Sequence, residues 1–107
     1  MSLDVRLEAV RPTVVFDSNI THNLGKMAAK AGLYQLLWRP EELNITHAAQ
    51  LIEPLRVGLA LLERDPAYYR QFNPTNGWGT YEKLVEFTRE YLAACIENPD
   101  AEIHVSR

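Results

Sequence analysis

Apolar and polar residues alternate with period two at both ends of the chain and recur at three and four through its middle. From Leu3 to Val10, the side chains of Leu3, Val5, Leu7 and Ala9 fall on one side of an extended backbone and Asp4, Arg6 and Glu8 on the other, which predicts a half-buried strand. Arg11, Pro12 and Thr13 interrupt it, because proline cannot donate to a ladder, and Val14, Val15 and Phe16 resume as a second short strand. A hairpin is the economical connection. Near the other end Asn98-Pro99-Asp100 stops a helix, and Ala101, Ile103 and Val105 then alternate with Glu102, His104 and Ser106 as a third strand.

The middle of the chain is helical. Leu24 to Ala31 is rich in helix formers and ends at Gly32, and Leu33 to Trp38 adds a second apolar run before Pro40. Pro40, Glu41 and Glu42 read as the first turn of another short helix, with acids near the positive dipole end. From Thr46 to about Arg64, Ala48, Leu51, Ile52, Leu55, Leu59 and Leu62 form an apolar stripe. Pro54 falls inside it and predicts a kink or two abutting helices. The last helix shows Tyr81, Leu84, Val85, Thr88, Tyr91, Leu92 and Cys95 on one face, so Cys95 reads as a core thiol rather than a nucleophile.

Hairpins alone are marginal in water, so the terminal strands are expected to pair into one small antiparallel sheet covered on one face by about four helices. The fold class is α+β, in a single globular domain over residues 1–107. The opening Met1-Ser2-Leu3 has the look of an expression remnant, and Ser2 and Leu3 are given no functional weight.

Composition narrows the function classes. Hydrophobic residues at 47% place the chain among folding proteins. With formal net charge -3 and scattered Lys and Arg, no cluster is placed to neutralise a run of phosphates, so nucleic acid is not an expected partner. No stretch has the length of a membrane span or the pattern of a signal peptide, so a cytoplasmic protein without membrane association is expected. Both Asn-Ile-Thr glycosylation patterns are then accidental. A lone Cys95 rules out an internal disulfide and a multi-cysteine zinc site.

The tetrapeptide Asn-Ile-Thr-His occurs twice, at Asn19 to His22 and Asn44 to His47. In each copy the threonine is placed to cap a helix and the histidine to open it. His22 is the stronger candidate, since Asp17, Ser18, Asn19, Thr21 and Asn23 surround it with donors and acceptors in what reads as a loop between strand and helix. The same residues could merely satisfy a chain reversal. Asp17, His22, His47 and His104 are suitable ligand types, but no pair has metal-binding spacing, so no metal and no cofactor is expected. Ser18 and Ser106 lack a nucleophile elbow, and no glycine-rich phosphate loop exists.

A second candidate is Asn73-Pro74-Thr75-Asn76-Gly77-Trp78-Gly79, built from turn dipeptides around a tryptophan. Tyr68, Tyr69, Phe72, Trp78 and Tyr81 crowd this stretch. Exposed, they would form a stacking platform; buried, they would tie the loop to the core.

Thr21-His22-Asn23-Leu24, Leu37-Trp38-Arg39-Pro40, Asn73 to Gly79 and Val105-Ser106-Arg107 together resemble a family of small uncharacterised proteins from bacteria and their phages. The resemblance spans most of the chain and implies no activity, cofactor or catalytic residue.

The leading expectation is a non-enzymatic binding or protein-interaction module that engages a protein or small-molecule ligand through Asn19, Asn23, Asn76, Trp78 and Tyr81. The alternative is a small enzyme in which His22 is a general base oriented by Asp17 or Asn19 and acts on a ligand stacked against Trp78 or Tyr81. The exposed sheet face, with Arg6, Glu8, Glu102 and His104, is a further candidate surface for a homodimer. A nucleic-acid accessory role follows only from the phage side of the resemblance.

Overall fold

The alternation at the N-terminus is reproduced in the computed structural model, which describes residues 1–9 and 13–107. Strand β1 (Ser2–Glu8) buries Leu3, Val5 and Leu7 completely and exposes Asp4 and Arg6. Strand β2 (Val14–Thr21) pairs antiparallel with one side of β1, with Leu3 opposite Ile20 and Arg6 opposite Asp17. Strand β3 (Glu102–Ser106) pairs antiparallel with the other side, with Val5 opposite Val105 and Arg6 opposite His104. The order is β2-β1-β3, so the terminal strands form the expected antiparallel sheet with β1 in its centre. The expected end of the first strand at Val10 and the interruption at Arg11 and Pro12 lie outside the described residues.

Leu3, on the face that the alternation predicts, is a core residue of the central strand with no exposed surface. One expectation at this end is corrected. Strand β2 does not stop at Phe16 but continues through Asp17, Ser18 and Asn19 to Thr21, so these residues belong to a strand rather than a loop. Phe16, Ser18 and Ile20 turn towards the helices, and Asp17, Asn19 and Thr21 share the open face with Asp4 and Arg6.

Among the described residues there are five helices, α1 (Gly25–Lys30), α2 (Tyr34–Trp38), α3 (Ala49–Arg64), α4 (Pro66–Arg70) and α5 (Tyr81–Glu97), with 3₁₀ turns at His22–Leu24 and Pro40–Leu43, and they build the core against the other face of the sheet. Helix α3 runs through Pro54 as one element rather than as two abutting helices; only the bond to the Gln50 carbonyl is lost, and the buried stripe Leu51, Leu55, Leu59 and Leu62 continues across it. Helix α4 is an addition. Asp65 caps it, Oδ1 accepting from the Tyr68 N–H at 3.3 Å, and Pro66 opens it. Gly58 lets α3 approach Leu33, since a Cβ there would stand 2.2 Å from Leu33 Cδ2. Helix α5 lies over β2, where the Tyr91 ring stacks on Phe16 with centroids 5.6 Å apart and planes 6° from parallel.

Backbone parity decides which groups of the sheet remain unpaired. The His22 N–H donates to the Met1 carbonyl at 3.3 Å, so bonded positions alternate along β2 and the N–H and C=O groups of Ile20, Ser18 and Phe16 point at β1. Those of Thr21, Asn19 and Asp17 point outward. The same parity on β3 directs Ile103 outward, and its N–H indeed donates to the Thr46 carbonyl at 2.9 Å, while the Ala48 N–H donates to the Ala101 carbonyl at 2.9 Å. The β3 edge is thus partly closed by residues 46–48. Among the described residues, no backbone group closes the β2 edge.

Helix α5 sets the response to alkali. Burial pushes the Cys95 thiol from its ordinary 9.0 up to about 12 and raises the Tyr91 phenol as well, whose hydroxyl is buried without a partner. The unfolded thiol ionises first, so above pH 9 the unfolded state binds fewer protons than the folded one and stability falls as pH rises towards 12. Urea midpoints should be flat from neutral pH to about 9 and then decline, and Cys95→Ala should make the decline shallower.

Candidate functional site

Asn73, Asn76, Gly77 and Gly79 shape the loop after α4 that carries Trp78. Asn76 Oδ1 accepts from the Trp78 N–H at 2.9 Å, and Asn73 Oδ1 accepts from the Tyr81 N–H at 2.8 Å, closing the loop onto the start of α5. Gly77 and Gly79 take φ of +78° and +104°, which only glycine adopts freely. Gly79 also presses on the end of β2: a Cβ there would lie 2.7 Å from Thr21 Cγ2 and 2.9 Å from Leu24 Cγ. The indole left between the two glycines is 70% exposed.

Beside it runs a cleft of about 440 Å³ lined by Met1, Ser2, Asn19, Thr21, Asn23 and Trp78. A second cleft of about 270 Å³ shares Asn19, Thr21 and Trp78 and adds Ile20, Gly79 and Lys83. Asn19, Asn23 and Trp78, singled out in the sequence, therefore do meet in space. Asn76 acts from within the loop. Tyr81 lies elsewhere, buried, with its hydroxyl donating to the Leu62 carbonyl at 2.6 Å and its ring stacked on Tyr69. The aromatic stretch is divided: Tyr69 and Tyr81 join the core, while Trp78 and Tyr68 face solvent.

His22 does not line either cleft. As the sequence predicts, Thr21 caps its turn, Oγ1 accepting from the Asn23 N–H at 3.3 Å. The half-buried ring points to α2, where its Nδ1 accepts from the Trp38 Nε1–H at 2.7 Å. Indole nitrogen only donates, so Nδ1 is unprotonated and the proton of the neutral ring is on Nε2. Asp17 stands on the open sheet face, opposite Arg6 in register.

His47 differs from expectation. It forms a β-bridge to Glu102 instead of opening a helix, and Gln50 reaches back to accept from the backbone N–H groups of Thr46 at 2.8 Å and His47 at 3.0 Å. His104 sits between Glu8 and Glu102, with Nε2 at 3.5 and 3.7 Å from their carboxylates. Among the described residues no three His, Cys, Asp or Glu side chains gather as a metal site.

Two residues to which the sequence assigned no role beyond the motifs of the resemblance hold this end together. Trp38, buried and stacked on Tyr34, gives its N–H to His22, and Arg107 Nη1 donates to the Trp38 carbonyl at 2.6 Å and to the Glu41 carboxylate at 2.9 Å. Nothing in the local sequence signals these pairings. Lys83, on the flank of α5, is a third, and its place in the apolar/polar pattern marks it only as exposed.

The open sheet face carries a concavity of about 650 Å³, larger than either cleft beside Trp78 and lined by Asp4, Arg6, Asp17, Asn19, His104 and Ser106 among others. Arg6 is bound to Glu8 at 2.8 Å, and Asp17 makes no ion pair among the described residues. No helix among the described residues is long and apolar enough to cross a membrane. The chain matches no family model, no curated protein and no solved structure.

Replacing His22 by Ala orphans the buried indole N–H and should cost about 1–3 kcal/mol in urea unfolding. In a Trp38→Phe background the same substitution should cost much less. Equal losses in both backgrounds would mean that the hydrogen bond does not stabilise the fold.

Proposed function

We propose that the protein is a non-enzymatic binding module of the bacterial cytoplasm that takes up a protein partner at Trp78 and the adjoining end of β2. The observation that carries this reading is the 70% exposure of Trp78 on a backbone fixed by two side-chain acceptors and a packed glycine. An exposed indole is costly in water and contributes much when covered, and a preset loop loses little entropy on binding. Asn19, Thr21 and Asn23 supply donors and acceptors around it.

A macromolecule suits this surface better than a small molecule, because the clefts are open on one side and small-ligand sites bury most of their occupant. A formal net charge of -3 speaks against nucleic acid. The general-base alternative has no geometric support, since His22 Nδ1 is occupied by a donor and the ring lies outside the clefts. The likeness to small bacterial and phage proteins remains part of the proposal. The segments that carry it meet in space: His22 bonds Trp38, Arg107 bonds the Trp38 carbonyl, and Gly79 packs on Thr21 and Leu24.

A random peptide library displayed on phage and selected against the immobilised protein tests the reading. Enriched peptides should lose at least tenfold in affinity on Trp78→Ser and none on Val57→Ser, an exposed apolar residue on α3. Both variants should keep the wild-type circular dichroism spectrum. No enrichment over bare support, or equal binding to Trp78→Ser, would refute it.

A further inference from the structure

We infer that the occupant of this site is an extended peptide segment that adds to the outer edge of β2 as a fourth strand, with a Lys or Arg beside Asp17. The inference rests on the reading of Trp78 as the binding element and specifies what that element binds. Its first ground is the edge. The backbone groups of Asp17, Asn19 and Thr21 point outward and pair with nothing among the described residues. Edges of this kind are usually blunted with Lys, Pro or a covering segment. Strand β2 has neither Lys nor Pro, and its bulge lies at Val15, outside the Asp17–Thr21 stretch, whereas the β3 edge is covered by residues 46–48 through the bonds of Ile103 to Thr46 and of Ala48 to Ala101. Strand addition is therefore how this sheet already closes one of its sides.

Helix α5 decides between a peptide and a second copy of the chain. It lies directly over β2, with Tyr91 stacked on Phe16. Pairing two β2 strands would set them about 4.8 Å apart. The two α5 helices above them would then be forced well inside the 8–10 Å that packed helices need. A segment without a helix of its own meets no such obstacle, and its first residues would run past Trp78 at the Thr21 end of the edge.

Charge selects the side chains. On the open face an added strand would lie beside Asp17, with Asp4, Glu8 and Glu102 further across the sheet. The one arginine among them, Arg6, is engaged by Glu8, and Asp17 is left without an ion pair among the described residues. Basic residues on that face of the peptide complement it. The alternate residues turn towards α5, where Trp78 and the edge of Ile20 offer an apolar floor and Lys83 repels a second set of cations. The ligand is thus a strand that alternates basic and apolar residues, and it is recognised through its backbone.

The probe is a synthetic peptide of about eight residues alternating Lys and Val, compared with a Glu–Val peptide of equal length. The Lys–Val peptide should slow amide exchange at Asp17, Asn19 and Thr21, with no change at Ser18 and Ile20. Its affinity should fall at least tenfold on Asp17→Lys, which should instead admit the Glu–Val peptide. N-methylation of the peptide's β2-facing amides should abolish binding. Trp78-dependent binding of library peptides without edge protection, or one indifferent to N-methylation, would overturn strand addition and leave the binding module standing. Loss of all Trp78-dependent binding would remove both. Concentration-dependent dimers with protected β2 amides would give the edge to a second copy and overturn the inference.

Discussion

A sheet of three strands has two edges, and each edge presents a row of backbone donors and acceptors that must meet water or a partner. In this protein β1 takes the centre because its Leu3, Val5 and Leu7 are buried against the helices, and the edges fall to β2 and β3. The chain covers part of the β3 edge with residues 46–48 and, among the described residues, leaves the β2 edge to solvent. The placement of α5 over β2 then buries one face of that strand while its outer side stays accessible. The Trp78 loop stands at the end of this open side.

The loop is held there by a chain of local necessities. The indole N–H of Trp38 is deep in the core and needs an acceptor, which His22 Nδ1 provides. This bond fixes the turn that follows β2, and Gly79 packs against the residues on either side of His22, Thr21 and Leu24, with no room for a Cβ. Arg107 completes the arrangement from the C-terminal side by bonding the Trp38 carbonyl. Histidine at this point is therefore a structural acceptor, and the exposed tryptophan is the group with free surface.

The elements with strong periodicity were legible in the sequence. The two terminal strands and the apolar face of α5 appear as the alternation and the three-four spacing predict, and the antiparallel α+β sheet follows from them. The second half of β2 was hidden because Asp17, Ser18 and Asn19 have poor strand propensity, and only the pairing with β1 draws them into the ladder. Identical tetrapeptides also diverged: Thr21 caps a turn, whereas in the second copy Asn44 is left-handed, the bridge of His47 to Glu102 holds its last residue extended, and Gln50 supplies the local acceptor. At the site, Trp78, Asn19 and Asn23 could be named from turn chemistry and polarity. The partnership of His22 with Trp38 spans 16 positions and that of Arg107 with Trp38 spans 69, so no local pattern encodes either.

Residue-resolved hydrogen exchange of the free protein addresses the open edge most directly. The account predicts an alternation along β2, with slow exchange at the Ser18 and Ile20 amides, fast exchange at Asp17, Asn19 and Thr21, and slow exchange at Ile103 on the closed edge. Uniform protection from Asp17 to Thr21 in the monomer would contradict it, because the edge would then already be covered.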